Sequence, residues 1–118
     1  MNIKLQEPIK TYFNSSNNSD SNKFISIFDK NAIVIDEGQE YIGLDKIQEW
    51  SLKHHFAVKL KLEVINAAKK NSIDVITAKV DGDFDKAGLP DPLLLDFHFS
   101  VVKGIMVAKL EILLAGSR

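Results

Sequence analysis

The sequence predicts an α+β domain, with helices gathered on one face of a curved, mostly antiparallel sheet. Three observations carry that prediction. Apolar residues recur at helical spacing only in the first half of the chain, up to about Trp50. From Val58 onward the apolar period is two, the mark of strands with one dry face. The last third holds the strongest hairpin signal, residues 93–102 and 105–114 joined at Lys103-Gly104. Helices and strands segregated in this way build one layer against another, and a curved sheet leaves a pocket between the layers.

In chain order, Pro8 suits the first turn of a helix, and Ile9, Tyr12 and Phe13 share a face, which predicts a helix over 7–15. The Asn- and Ser-rich run 14–22 is a loop in which Ser19 or Asp20 caps a second helix. Phe24, Ile27 and Phe28 share a face of that helix, which ends near Asn31. The apolar run 32–35 is a buried strand ending on Asp36. A Gly38-containing loop with Tyr41 follows, and Gly43 then opens an amphipathic helix with Leu44, Ile47 and Trp50 inward.

Beyond it, KLKLEV (59–64) alternates as a strand, 66–72 is a polar turn and 73–80 is a β-branched strand. The segment 84–92, with one Gly and two Pro, is a loop. In the closing hairpin Phe97, Phe99 and Val101 share one face and Asp96, His98 and Ser100 the other. Ile105, Val107 and Leu113 are expected on an outer face beside Lys109 and Glu111.

Composition narrows the function. The chain has 118 residues, enough for one domain spanning 1–118 that buries roughly two-thirds of its unfolded surface. It contains no cysteine, which removes disulfides, thiolate metal sites and a cysteine nucleophile. Lys and Arg number 15 against 16 Asp and Glu, so no basic field draws nucleic acid or anionic lipid. Arg118 is the only arginine, which removes the usual bidentate fork for phosphate. The first ten residues are too polar for a secretory signal, and no run approaches the roughly 18 apolar residues of a spanning helix. A cytoplasmic location is therefore expected.

The stretch NAIVIDEGQEYIGLDKIQEW (31–50) holds the chemistry. Strand alternation groups Asp36 with Ala32 and Val34, and an apolar setting raises a carboxyl towards useful base strength. The alternative is a strand-end carboxylate facing solvent. Tyr12 fits a core position whose hydroxyl finds one partner, and Trp50 fits helix-to-sheet packing or a cavity wall. His54 and His55 are adjacent, so at most one looks into a pocket. With His98 and Asp36 they match no metal-ligand spacing, and no metal is expected.

These residues resemble the nuclear transport factor 2-like superfamily, in particular its SnoaL-like and ketosteroid-isomerase-like members. The likeness lies in the Tyr12-Phe13 helix, in Asp20 followed by KFISIFDKNAIVID, in YIGLDKIQEW, and in VDGDF with LDFHFSVVKGIMVAKLEI. It implies a cone-shaped domain with three N-terminal helices in the concave face of the sheet. Ketosteroid isomerase combines an aspartate base with an oxyanion hole made of a tyrosine and a protonated aspartic acid. By resemblance Asp36 is the base and Tyr12 the hydrogen-bond donor to the enolate, and Asp96 is the nearest carboxylate for the third role.

The resemblance further implies a pocket for a small hydrophobic molecule, with Trp50, Phe28, Val34, Tyr41, His54, Phe97 and Phe99 against the ligand. If the chain is an enzyme, its chemistry is expected to be cofactor-free. Because Leu93, Leu94 and Leu95 are apolar on both faces and Ile105, Val107 and Leu113 lie outside, a homodimer is expected to cover the outer sheet face. The alternatives are a non-catalytic dimeric binding or structural protein whose own aromatics fill the cavity, and a dehydratase-like lyase. A limonene epoxide hydrolase type of site is excluded, because it needs an arginine between two aspartates.

Overall fold

The computed structural model describes residues 4–115, and Arg118 lies outside them. Its elements are α1 (Glu7–Asn17), α2 (Ser21–Ile25), β1 (Phe28–Asp36), β2 (Gln39–Ile42), α3 (Leu44–Ser51), a π-helical turn (Leu52–Phe56), β3 (Lys61–Lys70), β4 (Ile73–Asp81), β5 (Leu94–Val102) and β6 (Met106–Leu114). The six strands form one curved, unclosed sheet in the order β2-β1-β6-β5-β4-β3. Only β1 and β6 run parallel; the other neighbours are antiparallel. This is the α+β architecture that the period change predicts.

The α1 helix begins with Pro8 in its first turn and buries Ile9, Tyr12, Phe13 and Ser16, one face at helical spacing. Asp20 caps α2 by accepting from Lys23 N–H at 3.1 Å. That helix is shorter than its spacing suggests. Ile27 and Phe28 leave it because the backbone there pairs with β6: Val107 N–H donates to Ile27 C=O at 2.8 Å, and Phe28 opens β1. Tertiary pairing overrides local periodicity here.

Two further boundaries move for similar reasons. Residues 39–42, expected as loop, form β2, because Glu37-Gly38 is a two-residue hairpin turn with both φ positive, at 53° and 77°. The polar run 66–72 is mostly strand. A register shift at Val64/Asn66 breaks the alternation of β3, and only Asn71-Ser72, again with both φ positive, makes the turn. As an edge strand β3 tolerates exposed Lys69 and Lys70.

In the closing hairpin the pairing shifts between Ser100 and Val101, so that Ala108 is an extra residue. This bulge turns Val107, expected outside, into the core, where it is fully buried beside Leu110. At the far end, Gly82 has φ 154°, and a Cβ there would lie 2.9 Å from the Val58 carbonyl oxygen. The exit of β4 thus sits tightly under the end of the π-helical turn.

The core lies between the helices and the concave face of the sheet. Tyr12, Phe24, Phe28, Trp50, Phe97 and Phe99 are its largest fully buried side chains. Tyr12 is edge-on to Phe28, Phe97 and Phe99, with ring centroids 5.2–6.4 Å apart. Phe24 closes on Tyr12 at 4.7 Å and on Trp50 at 6.2 Å. These are packed aromatic contacts, so side chains fill the interior of the cone.

Candidate functional site

Asp36 ends β1 half-buried, where the strand meets the Glu37-Gly38 turn. Trp50, the penultimate residue of α3, is held inward by its place beside Ile47 and Ser51. The two meet across the β1–β2 hairpin: Trp50 Nε1–H donates to Asp36 Oδ2 at 3.0 Å. Above this bond lies a groove of about 770 Å³ between the hairpin and α3 with its π-helical extension. Asp36, Tyr41 and Ile42 form one wall; Lys46, Glu49, Trp50, Lys53 and His54 form the other. The Tyr41 ring stands 6.1 Å from that of Trp50.

Burial raises the Asp36 carboxyl above its ordinary 3.8. The Trp50 hydrogen bond pulls it back down, the charge of Glu37 pushes it up, and His54 and the Glu37 N–H lower it. Tyr41 is raised as well, through desolvation and the charges of Asp36 and Glu37. The groove therefore presents a carboxylate that holds its proton more readily than a free aspartate, flanked by Lys46, Lys53 and His54 as cationic or proton-donating groups.

The π-helical turn decides which histidine reaches the groove. On α3 the inward stripe is Ile47, Trp50 and Ser51, and an unbroken α-helix would carry it on through position 54. The wider turn, closed by Ala57 N–H to Leu52 C=O at 2.9 Å, shifts the stripe by one residue. His55 goes into the core, 4% exposed, and His54 faces the groove.

His55 Nε2 and the Tyr12 hydroxyl share a hydrogen bond of 2.8 Å. Burial is the main cause that lowers the imidazole to about 3, and the same burial keeps the Tyr12 phenol well above its ordinary 10. His55 Nδ1 and Ser16 Oγ have no hydrogen-bond partner among the described residues.

The sequence-predicted residues thus separate into two sets. Asp36, Tyr41, Trp50 and His54 line one groove. Tyr12, Phe28, Val34, Phe97 and Phe99 are 2% exposed or less and pack in the core, where Tyr12 and the four apolar side chains touch one another or the sheet. Which face of β5 turns inward is also settled: Phe97 and Phe99 do. Asp96 lies on the opposite face, paired across from Leu113 and accepting from Thr77 Oγ1, so it does not reach the groove. Lys46, Glu49 and Lys53 were not singled out in the sequence, although their spacing of three and four marks them as one helix face beside Trp50.

Among the described residues, no group of three His, Asp or Glu side chains could hold a metal ion. No helix there is long and apolar enough to cross a membrane. No family model matches the sequence, and no curated protein matches it.

Solved structures do resemble it. A candidate polyketide cyclase from Sinorhizobium meliloti is 26% identical, with TM-score 0.81 over 92% of this chain and 95% of the other. A protein with a ketosteroid isomerase-like fold from Catenulispora acidiphila, in complex with trimethylamine, is 14% identical, with TM-score 0.77 over 97% of this chain and 89% of that one. TerC, co-crystallised with polyporic acid, is 12% identical, with TM-score 0.75 over 92% and 88%.

Proposed function

We propose that this chain, by its fold a member of the nuclear transport factor 2-like superfamily, binds a small organic molecule in the groove above Trp50, with Asp36 as its polar anchor. The observation that carries the reading is the Trp50–Asp36 hydrogen bond: it presents a partly desolvated carboxylate to the groove beside an aromatic ring. Two structural neighbours were crystallised with small molecules, trimethylamine and polyporic acid, which supports a small ligand.

The packed interior supports a ligand seated in this groove and not among Phe28, Val34, Phe97 and Phe99. Those residues, expected against the ligand, here form the wall behind it. The self-filled cavity expected as an alternative therefore fits the interior of the cone, while the groove keeps a binding role open at its mouth.

A catalytic reading follows from the raised Asp36 carboxyl. Its carboxylate removes a proton from a carbon next to a carbonyl, the C–H electron pair moves into an enolate, and the same proton returns to the γ-carbon. That is isomerisation without a cofactor. Tyr12 does not supply the oxyanion donor in this reading, because its hydroxyl is buried and already bonded to His55. Lys46, Lys53 or His54 take that place across the groove.

The test uses Trp50, the only tryptophan, as its own reporter. Polyporic acid and trimethylamine are titrated against the protein while the emission is followed, and β,γ-unsaturated ketones are assayed for isomerisation. Saturable binding that weakens about tenfold in Asp36→Asn supports the reading; that is about 1.4 kcal/mol. Affinity unchanged in both Asp36→Asn and Tyr41→Ala removes the groove. Equal isomerisation rates for wild type and Asp36→Asn remove the base.

A homodimer through the outer sheet face, where Leu94 and Leu113 lie beside the Thr77–Asp96 pair, belongs to the same proposal. Light scattering that gives a monomer at high concentration discards it.

A further inference from the structure

Tyr12 sits on α1, an element that contributes no residue to the groove lining, and is fully buried. Its hydroxyl bonds to His55 Nε2 at 2.8 Å. The His55 ring lies against the Trp50 indole, with centroids 4.7 Å apart and planes tilted by 57°. The indole N–H in turn donates to Asp36. Four side chains from α1, the π-helical turn, α3 and β1 thus form one continuous contact path that ends on the groove carboxylate.

Each link is stiff. Tyr12 is clasped by Phe13, Phe24, Phe97 and Phe99. The His55 ring, 4% exposed, is packed between Tyr12, Phe24 and Trp50, with centroids 5.7, 5.2 and 4.7 Å away. Trp50, 1% exposed, has little freedom except to tilt its indole plane. Of the rings that pack on it His55 is the nearest, 4.7 Å away against 6.2 Å for Phe24 and 6.1 Å for Tyr41, and His55 is itself held by the Tyr12 hydrogen bond. An imidazole anchored by Tyr12 therefore fixes the angle at which the indole N–H meets Asp36.

We propose that Tyr12 and His55 are positioning residues: their hydrogen bond sets the tilt of Trp50, and Trp50 sets the geometry of the Asp36 carboxylate in the groove. Tyr12 then acts on the site without touching a ligand, through two intermediate side chains. The proposal rests on Asp36 being the anchor of the groove, but its test needs no ligand. Its failure therefore leaves the binding experiment above untouched.

The readout is the pH titration of Trp50 emission, which reports the ionisation of its partner Asp36. The other groups that face Asp36 are Glu37 from the hairpin turn, Glu40 and Tyr41 from β2, Lys46 and Glu49 from α3, Lys53 and His54 from the π-helical turn, and Tyr12 from α1. A His54→Gln background removes the nearest imidazole, and Asp36→Asn identifies which transition belongs to Asp36. In that background Tyr12→Phe keeps the ring and deletes the hydroxyl.

A looser indole favours the carboxylate less, so the expected result is an Asp36 midpoint raised by about half a pH unit or more. A midpoint equal to that of the parent, in a folded variant with a lower melting temperature, reduces Tyr12 to core packing and overturns the proposal. Should Tyr12→Phe fail to fold, His55→Phe keeps a ring against Trp50 and deletes the same bond. It must show the same upward shift, and an unshifted midpoint overturns the proposal equally.

Discussion

The indole N–H of Trp50 donates to the carboxylate of Asp36 across fourteen residues of sequence, 3.0 Å apart. Burial, the larger influence, keeps the carboxyl above its ordinary 3.8 in spite of that bond. The consequence for stability has a definite sign. Between 3.8 and its raised value the folded chain holds the proton more than the unfolded chain does, so this contribution favours folding at the acid end. It is lost as pH rises through the folded value. Asp36→Asn does not titrate. The stability of wild type relative to Asp36→Asn, from urea midpoints, is therefore expected to fall as pH rises from about 3 to about 7. A difference that stays flat contradicts the burial of Asp36.

His55 pulls the other way. Its imidazole is lowered from 6.5 to about 3, so the unfolded chain binds the proton throughout that window. Its contribution is complete above 6.5 and is lost as pH falls towards about 3, at about 1.4 kcal/mol per pH unit within the window. His55→Gln is expected to start less stable at pH 7 and to lose less on acidification, so the two urea-midpoint curves converge below pH 5. Because Asp36 and His55 oppose each other in overlapping windows, the wild-type curve alone hides both, and the single variants separate them.

Tyr12→Phe deletes one hydroxyl from a packed site. The ring contacts with Phe24, Phe97 and Phe99 remain, but His55 is left with neither ring nitrogen bonded, since Nδ1 has no partner among the described residues. An unsatisfied buried polar group costs about 1–3 kcal/mol, and that is the expected loss. Phe97→Ala opens a hole in the same cluster and is expected to cost about 3–5 kcal/mol. Chemical denaturation of the two variants checks the order; a larger loss in Tyr12→Phe would mean that the hydrogen bond, not the packing, holds this part of the core.

The fold was legible because its signal is periodicity, and periodicity survives in a single sequence. The face of α1 and the end of β1 on Asp36 follow from spacing alone, whereas spacing separates the two faces of β5 without saying which turns inward; the burial of Phe97 and Phe99 decides that. What escaped were places where a partner strand decides. Phe28 joins β1 because β6 pairs with its neighbour, and β3 runs on through polar residues because a bulge at Ile65 resets its alternation. The site divides in the same way. Asp36 could be found as a carboxylate closing a greasy strand, but the Trp50 bond could not, since nothing in a sequence spacing of fourteen across a hairpin implies contact. His54, expected against the ligand, does line the groove, but the π-type turn that sends His55 into the core leaves no mark in the spacing.

The bulge in the closing hairpin gives the sharpest check on the register of the sheet. Strict alternation from Leu110 would place Val107 outside with Ile105, yet the extra residue at Ala108 brings Val107 inside, fully buried, and leaves Ile105 68% exposed in the turn. The backbone agrees, since Val107 N–H is the group that ties β6 to Ile27. Val107→Asn puts an unpaired amide into an apolar core and is expected to cost about 2–5 kcal/mol, enough to lower the melting temperature by many degrees. Ile105→Asn changes a solvated turn and is expected to stay within about 0.5 kcal/mol of wild type. Thermal melts of the two variants decide the matter. If the losses came out reversed, β6 would be unbulged, and Val107 would have to face the solvent while the parallel pairing that starts β1 shifted by one residue.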